Sequence, residues 1–93
     1  VLEQWANVTG TALGVASLNN HVQVVESLIA AGCNVDTPND DGWTPLYTAA
    51  FYGHEGVVEM LLNAGCNVDT PDEDGRTPLH VAAWNGYEGV VEM

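Results

Sequence analysis

The seven residues Gly-Cys-Asn-Val-Asp-Thr-Pro stand at 32–38 and again at 65–71, so a thiol, an amide and a carboxylate recur in one order 33 positions apart. Cys33 and Cys66 could form a disulfide or share a metal ion. The runs that follow, Asn39-Asp40-Asp41-Gly42 and Asp72-Glu73-Asp74-Gly75, offer oxygen donors to a hard cation. His21, His54 and His80 add three groups able to move a proton or bind a metal. None of this chemistry finds its full set of partners. Zinc needs four converging ligands, and neither cysteine has a Cys-x-x-Cys or His-x-x-x-His companion. A dedicated calcium loop needs a carboxylate first and Glu twelfth. Here Thr70 and Val81 hold those places in one run, Thr37 and Thr48 in the other. Weak, adventitious cation binding by Asp40, Asp41, Asp72, Glu73 and Asp74 is what their carboxylates still allow. No histidine stands beside a Ser, Cys or Asp in a catalytic order, and no glycine-rich phosphate loop exists. The sequence therefore predicts no catalytic residue, no cofactor and no metal.

The duplicated letters make better sense as structure. Shifted by 33, residues 42–60 fall on 75–93 with 13 of 19 positions identical. A more divergent copy, 11–32, aligns with 44–65 in the same phase. A fixed period of this size marks stacked units that bury their apolar faces on one another. Thr44 and Thr77 read as N-caps, with Pro45 and Pro78 at the first helical position, where a missing amide hydrogen is harmless. Leu46, Ala49 and Ala50 form an apolar stripe, and the paired small residues allow close approach of neighbouring units. Gly53 and Gly86 end that helix in a left-handed turn, and Asn20 takes the place in the first copy. A second helix buries Val57, Val58, Leu61 and Leu62, echoed by Val24, Val25, Leu28 and Ile29, and stops at Gly65 or Gly32. The polar segment between units ends in Asp-Gly and suits a projecting hairpin-like turn. In successive packed units the two cysteines would stand about 8–10 Å apart. A disulfide needs alpha carbons within about 7 Å, so reduced thiols are expected, filling small apolar places.

Composition narrows the function classes. Thirteen acidic residues against one base, Arg76, give a formal net charge of −12. Phosphate backbones and anionic membrane surfaces both call for clustered Lys and Arg, so neither nucleic acid nor a membrane is an expected partner. No run of 18 apolar residues occurs, and the first residues lack the basic and apolar regions of a signal peptide. With two unpaired cysteines this predicts an intracellular, cytoplasmic protein. In that setting the acceptor triplet Asn7-Val8-Thr9 is coincidental.

"TPLYTAA", "GRTPLHVAA", the Gly53-His54 pair and "VVEMLLNAG", repeated in phase over residues 9–93, resemble the ankyrin repeat. The resemblance implies an all-α fold, an ankyrin-repeat solenoid of about two and a half stacked helix–turn–helix units. The units divide as residues 9–41, 42–74 and 75–93, after a flanking segment 1–8 whose Leu2 and Trp5 could cap the first unit. The last unit stops within its second helix, as expected of a piece of a longer array. Such an end would expose Val90, Val91 and Met93 and favour self-association. The first copy departs from the family at Ala12 and Gly14, where Pro and His are usual. Tyr47 replaces that His in the second copy, and only His80 keeps it. His54 stands where the family often places a His with a structural hydrogen-bonding role.

The resemblance also implies a function: a non-enzymatic protein–protein interaction scaffold that binds through its concave face, built from turn tips and the exposed side of each first helix. Those positions are Asp40, Asp41, Trp43, Phe51 and Tyr52 in one unit and Glu73, Asp74, Arg76, Trp84 and Asn85 in the next. The first unit contributes Gly10, Leu18 and Asn19. Aromatics and arginine are the residues that most often anchor interfaces, and the surrounding carboxylates suit a basic or amphipathic partner segment. A calcium-responsive acidic array, and a structural spacer within a larger enzyme, channel or receptor, are the alternatives.

Overall fold

A computed structural model of the chain describes residues 12–92. The expectations for Leu2, Trp5, Asn7, Gly10 and Met93 lie outside the described residues. Among the described residues six helices form three pairs: α1 (12–18) with α2 (Val22–Ala30), α3 (Pro45–Tyr52) with α4 (Glu55–Asn63), and α5 (Pro78–Trp84) with α6 (Glu88–Val91). First helices pack on first helices, α3 on α5, and second on second, α2 on α4 and α4 on α6. The result is a two-layered stack of 40 × 27 × 21 Å.

Local chemistry sets each boundary. The hydroxyl Oγ1 of Thr44 accepts from the Tyr47 amide at 3.2 Å, and that of Thr77 from the His80 amide at 3.3 Å, satisfying donors left open in the first turn. Each first helix then turns sharply into its partner through a left-handed residue: Asn20 at φ 58°, Gly53 at 71°, Gly86 at 73°. At Gly53 the need for glycine is twofold, because a β-carbon would also meet the Tyr87 ring at 2.8 Å. Glu55 and Glu88 open α4 and α6, where a carboxylate complements the helix dipole.

The core runs through the middle of the stack. α3 is buried almost all round, from Pro45 to Ala50, since it has units on both sides. Ala49 and Ala82 are fully enclosed, which only small side chains permit at that distance. Position in the stack, more than residue type, decides the rest. The equivalent valines Val24, Val57 and Val90 are 49%, 0% and 7% exposed. This corrects two sequence expectations: Val24 does not join the buried face of α2, and Val90 is not exposed at the end. That register faces the preceding unit, which covers Val57 and Val90, whereas Val24 belongs to the first of the described units. The neighbouring register faces the following unit, and there Val25 and Val58 are buried while Val91 is open.

The segments joining the units form tight turns without strands. The Asn39 amide donates to the Trp43 carbonyl at 2.8 Å, and the side-chain oxygen of Asn39 accepts from Asp41 and Trp43 amides at 2.9 Å. Asp72 repeats the arrangement with the amides of Asp74 and Arg76, both at 2.9 Å. These short polar side chains replace the missing ladder, which is why Asn or Asp heads each turn.

Candidate binding face

The turn tips and first helices present their side chains together. Rings run in sequence across this side: Tyr47 to Trp43 at 4.7 Å between centroids, Trp43 to Phe51 at 5.0 Å, Phe51 to Tyr52 at 5.0 Å edge-on, and Tyr52 stacked on His54 at 6.0 Å. The tilted and edge contacts among Tyr47, Trp43, Phe51 and Tyr52 suit the ring quadrupole. Trp43 and Phe51 are half-buried in it, and Tyr52 is exposed. Trp84 stands apart from that row, 89% exposed.

Two grooves, one repeat apart, cross this side. The first, of about 280 Å³, lies between α1 and α3 and is lined by Gly14, Val15, Leu18, Trp43, Thr48 and Tyr52, with Asp41 and the 37–39 turn at its rim. The second, of about 390 Å³, lies between α3 and α5 and is lined by Phe51, Arg76, His80, Val81, Trp84 and Asn85. Leu18 and Phe51, Trp43 and Arg76, Thr48 and Val81, Tyr52 and Asn85 are equivalent pairs at the 33-residue offset. The scaffold is the same and the lining chemistry differs: aromatic and aliphatic with an acidic rim in the first, cationic and aromatic in the second.

Of the residues singled out in the sequence, Asp40, Asp41, Glu73 and Asp74 are all exposed on the turns. The Glu73 Cγ lies 3.9 Å from where a β-carbon on Gly42 would sit, which brings successive tips together. Arg76 pairs with Asp74 at 3.1 Å, an exposed contact worth at most about 1 kcal/mol. Asn85 is exposed, but its side-chain amide donates to the Phe51 carbonyl at 3.1 Å, tying two units together.

Among the described residues that bond is one of three side-chain bonds between neighbouring units, and a fourth closes within the middle unit. His54 Nε2 meets the Leu18 carbonyl at 3.0 Å, the Asn67 amide donates to Asp36 at 2.8 Å, and the Tyr47 hydroxyl donates to Asp72 at 2.7 Å. Tyr47 was not among the expected site residues. Its signal was present, since it occupies the place where His80 stands one unit later. Burial pushes the Tyr47 phenol up to about 12, with the Asp72 bond adding to the shift. The same bond, helped by the Arg76 amide, holds the Asp72 carboxyl below its ordinary value. Both thiols are free; Cys66 is buried and Cys33 half-buried, and burial raises both above the usual thiol value. Among the described residues no three His, Cys, Asp or Glu side chains gather as a metal site would require, and no helix is long and apolar enough to cross a membrane.

The paired helices, their left-handed junctions and the 33-residue phase agree with a match of residues 13–93 to the family described as ankyrin repeats, in three copies. The chain belongs to the ankyrin-repeat family. Ankyrin repeats are protein-interaction modules, and the relatives this chain matches carry regulatory names. Over 41 residues, 44% of the chain, it is 49% identical to "Protein phosphatase 1 regulatory subunit 12A" of Mus musculus, and equally to that of Rattus norvegicus. Over 40 residues, 43% of the chain, it is 50% identical to "RelA-associated inhibitor" of Mus musculus. The matched stretches cover 4% and 5% of those proteins' length.

Proposed function

We propose that this ankyrin-repeat chain is a non-enzymatic interaction module that grips a basic or amphipathic segment of another protein. The gripping side would be the concave one, formed by Asp40, Asp41, Trp43, Phe51 and Tyr52 together with Glu73, Asp74, Arg76, Trp84 and Asn85. The row of Trp43, Phe51 and Tyr52 beside the exposed Asp40–Asp41 turn carries this reading, since it sets aromatic anchors next to carboxylates on one side. The Trp84 ring lines the adjoining Phe51–Arg76 groove. The surrounding acidity, −12 for the chain, favours a partner segment bearing Lys or Arg and speeds its encounter. The regulatory subunit and inhibitor names of the relatives accord with a role in binding.

The test is Trp84→Ala, measured by isothermal titration against the cellular partner. Because Trp84 lies outside the core, the melting temperature should hold while affinity falls by tenfold or more. Unchanged affinity would sink the assignment of this face. Trp43→Ala is a poorer probe, since Trp43 also packs on Tyr47 and Phe51.

A further inference from the structure

Gly14 sits inside α1, at the position equivalent to Tyr47 and His80. Glycine in a helix interior costs about 0.5–1 kcal/mol relative to alanine, and such a cost normally has a local reason. Neither usual reason holds here. The backbone at Gly14 is not left-handed, and a β-carbon there would meet nothing within 4 Å. What the missing side chain does is leave open the groove between α1 and α3, of which Gly14 is one wall. In the next unit Tyr47 fills the equivalent place and its hydroxyl reaches Asp72.

The chemistry of the opened groove is one-sided. Val15 and Leu18 form its α1 wall, and Trp43 and Tyr52 face them from α3 and the turn. Among the described residues the Asp41 carboxylate at the rim makes no side-chain bond, exposed Asp40 stands beside it, and no Lys or Arg lines the groove. At about 280 Å³ and open to solvent, it falls at the bottom of the range for small-molecule sites, about 300–1,000 Å³. That space suits a side chain better than a whole metabolite.

Building on the proposed interaction role, we infer that this groove seats one aliphatic side chain of the partner segment, with an adjacent Lys or Arg of that segment paired to Asp41. Gly14 is the specificity-determining residue, since restoring a side chain there closes the site.

The test uses a random 12-residue peptide library displayed on phage and panned on the protein, with affinities of recovered peptides measured by fluorescence anisotropy. Recovered sequences should carry Leu, Ile, Val or Met next to Lys or Arg. Gly14→Tyr should weaken them by about tenfold or more, the loss expected when one buried aliphatic side chain is shut out. Gly14→Ala, which adds one methyl and favours the helix, should bind within about twofold of the parent and melt higher. Asp41→Asn, on the exposed turn, should weaken binding and flatten its salt dependence; it carries the test if Gly14→Tyr proves unfolded by circular dichroism. Equal affinity for the parent, Gly14→Tyr and Asp41→Asn would overturn the inference, as would recovery of acidic peptides or of none. If Trp84→Ala abolishes binding while Gly14→Tyr leaves it intact, the broad face stands and the groove assignment falls.

Discussion

The hydroxyl of Ser17 is the place where this fold most plainly loses stability. Ser17 is fully buried in α1, and among the described residues its Oγ has no hydrogen-bond partner. Ala50 and Ala83 hold the equivalent place in the other two units. Stranding a buried polar group costs about 1–3 kcal/mol, and serine in a helix is a few tenths of a kcal/mol poorer than alanine. The small void left by removing one oxygen offsets part of this. Ser17→Ala should therefore stabilise the protein by about 1–2 kcal/mol, and a domain of this size would melt about 5–10 °C higher. Calorimetric scans of Ser17→Ala and of the reverse change, Ala50→Ser, form a matched pair. Ala50 is as enclosed as Ser17, so Ala50→Ser should destabilise by about 1–3 kcal/mol. A Ser17→Ala protein that melts at or below the parent temperature would refute the reasoning and show that the hydroxyl is paired.

Gly53→Ala should be more damaging than Gly65→Ala in urea unfolding. Both glycines have left-handed backbones, costing alanine about 1–2 kcal/mol, but only at Gly53 does a β-carbon strike a ring, adding about 1–3 kcal/mol of overpacking. Tyr47→Phe should lower the melting temperature most between about pH 4 and pH 10, as scans across pH would show. The Asp72 carboxyl, lowered from 3.8, contributes stability present above that value and lost as acid protonates it; the Tyr47 phenol, raised from 10.0 to about 12, contributes stability lost as base ionises it. A difference between Tyr47→Phe and parent that persists undiminished below pH 3 would show that the bond to Asp72 is not its source.

The helix pairs, their caps and their junctions were legible because each is written within a dozen residues. Thr-Pro starts, left-handed Asn20 or Gly ends and alternating apolar stripes need no knowledge of what lies across the stack. Burial at the ends was not legible. Val24, Val57 and Val90 are one letter in one local context, and what separates them is that Val57 and Val90 are covered by a described neighbouring unit. The bond from Tyr47 to Asp72 joins a first helix to a turn 25 residues later, and no local pattern announces it. Asn85 is exposed, and the bond of its amide to Phe51 depends on the separation of two helices, which no single unit spells out. Gly14 was visible as a departure from the repeat. Its groove needed Trp43 and Tyr52 to be seen opposite.

Among the described residues the three side-chain bonds that cross between units each span adjacent units alone. A stack fastened in this way has a grain. Tension applied along the chain would load one seam at a time, and each unit that gives way would pay out roughly 110 Å of slack, 33 residues at the reach of an extended backbone. The molecule would lengthen in steps, as a zip does, and the seam fastened by both His54–Leu18 and Asn67–Asp36 would be the stiffer tooth.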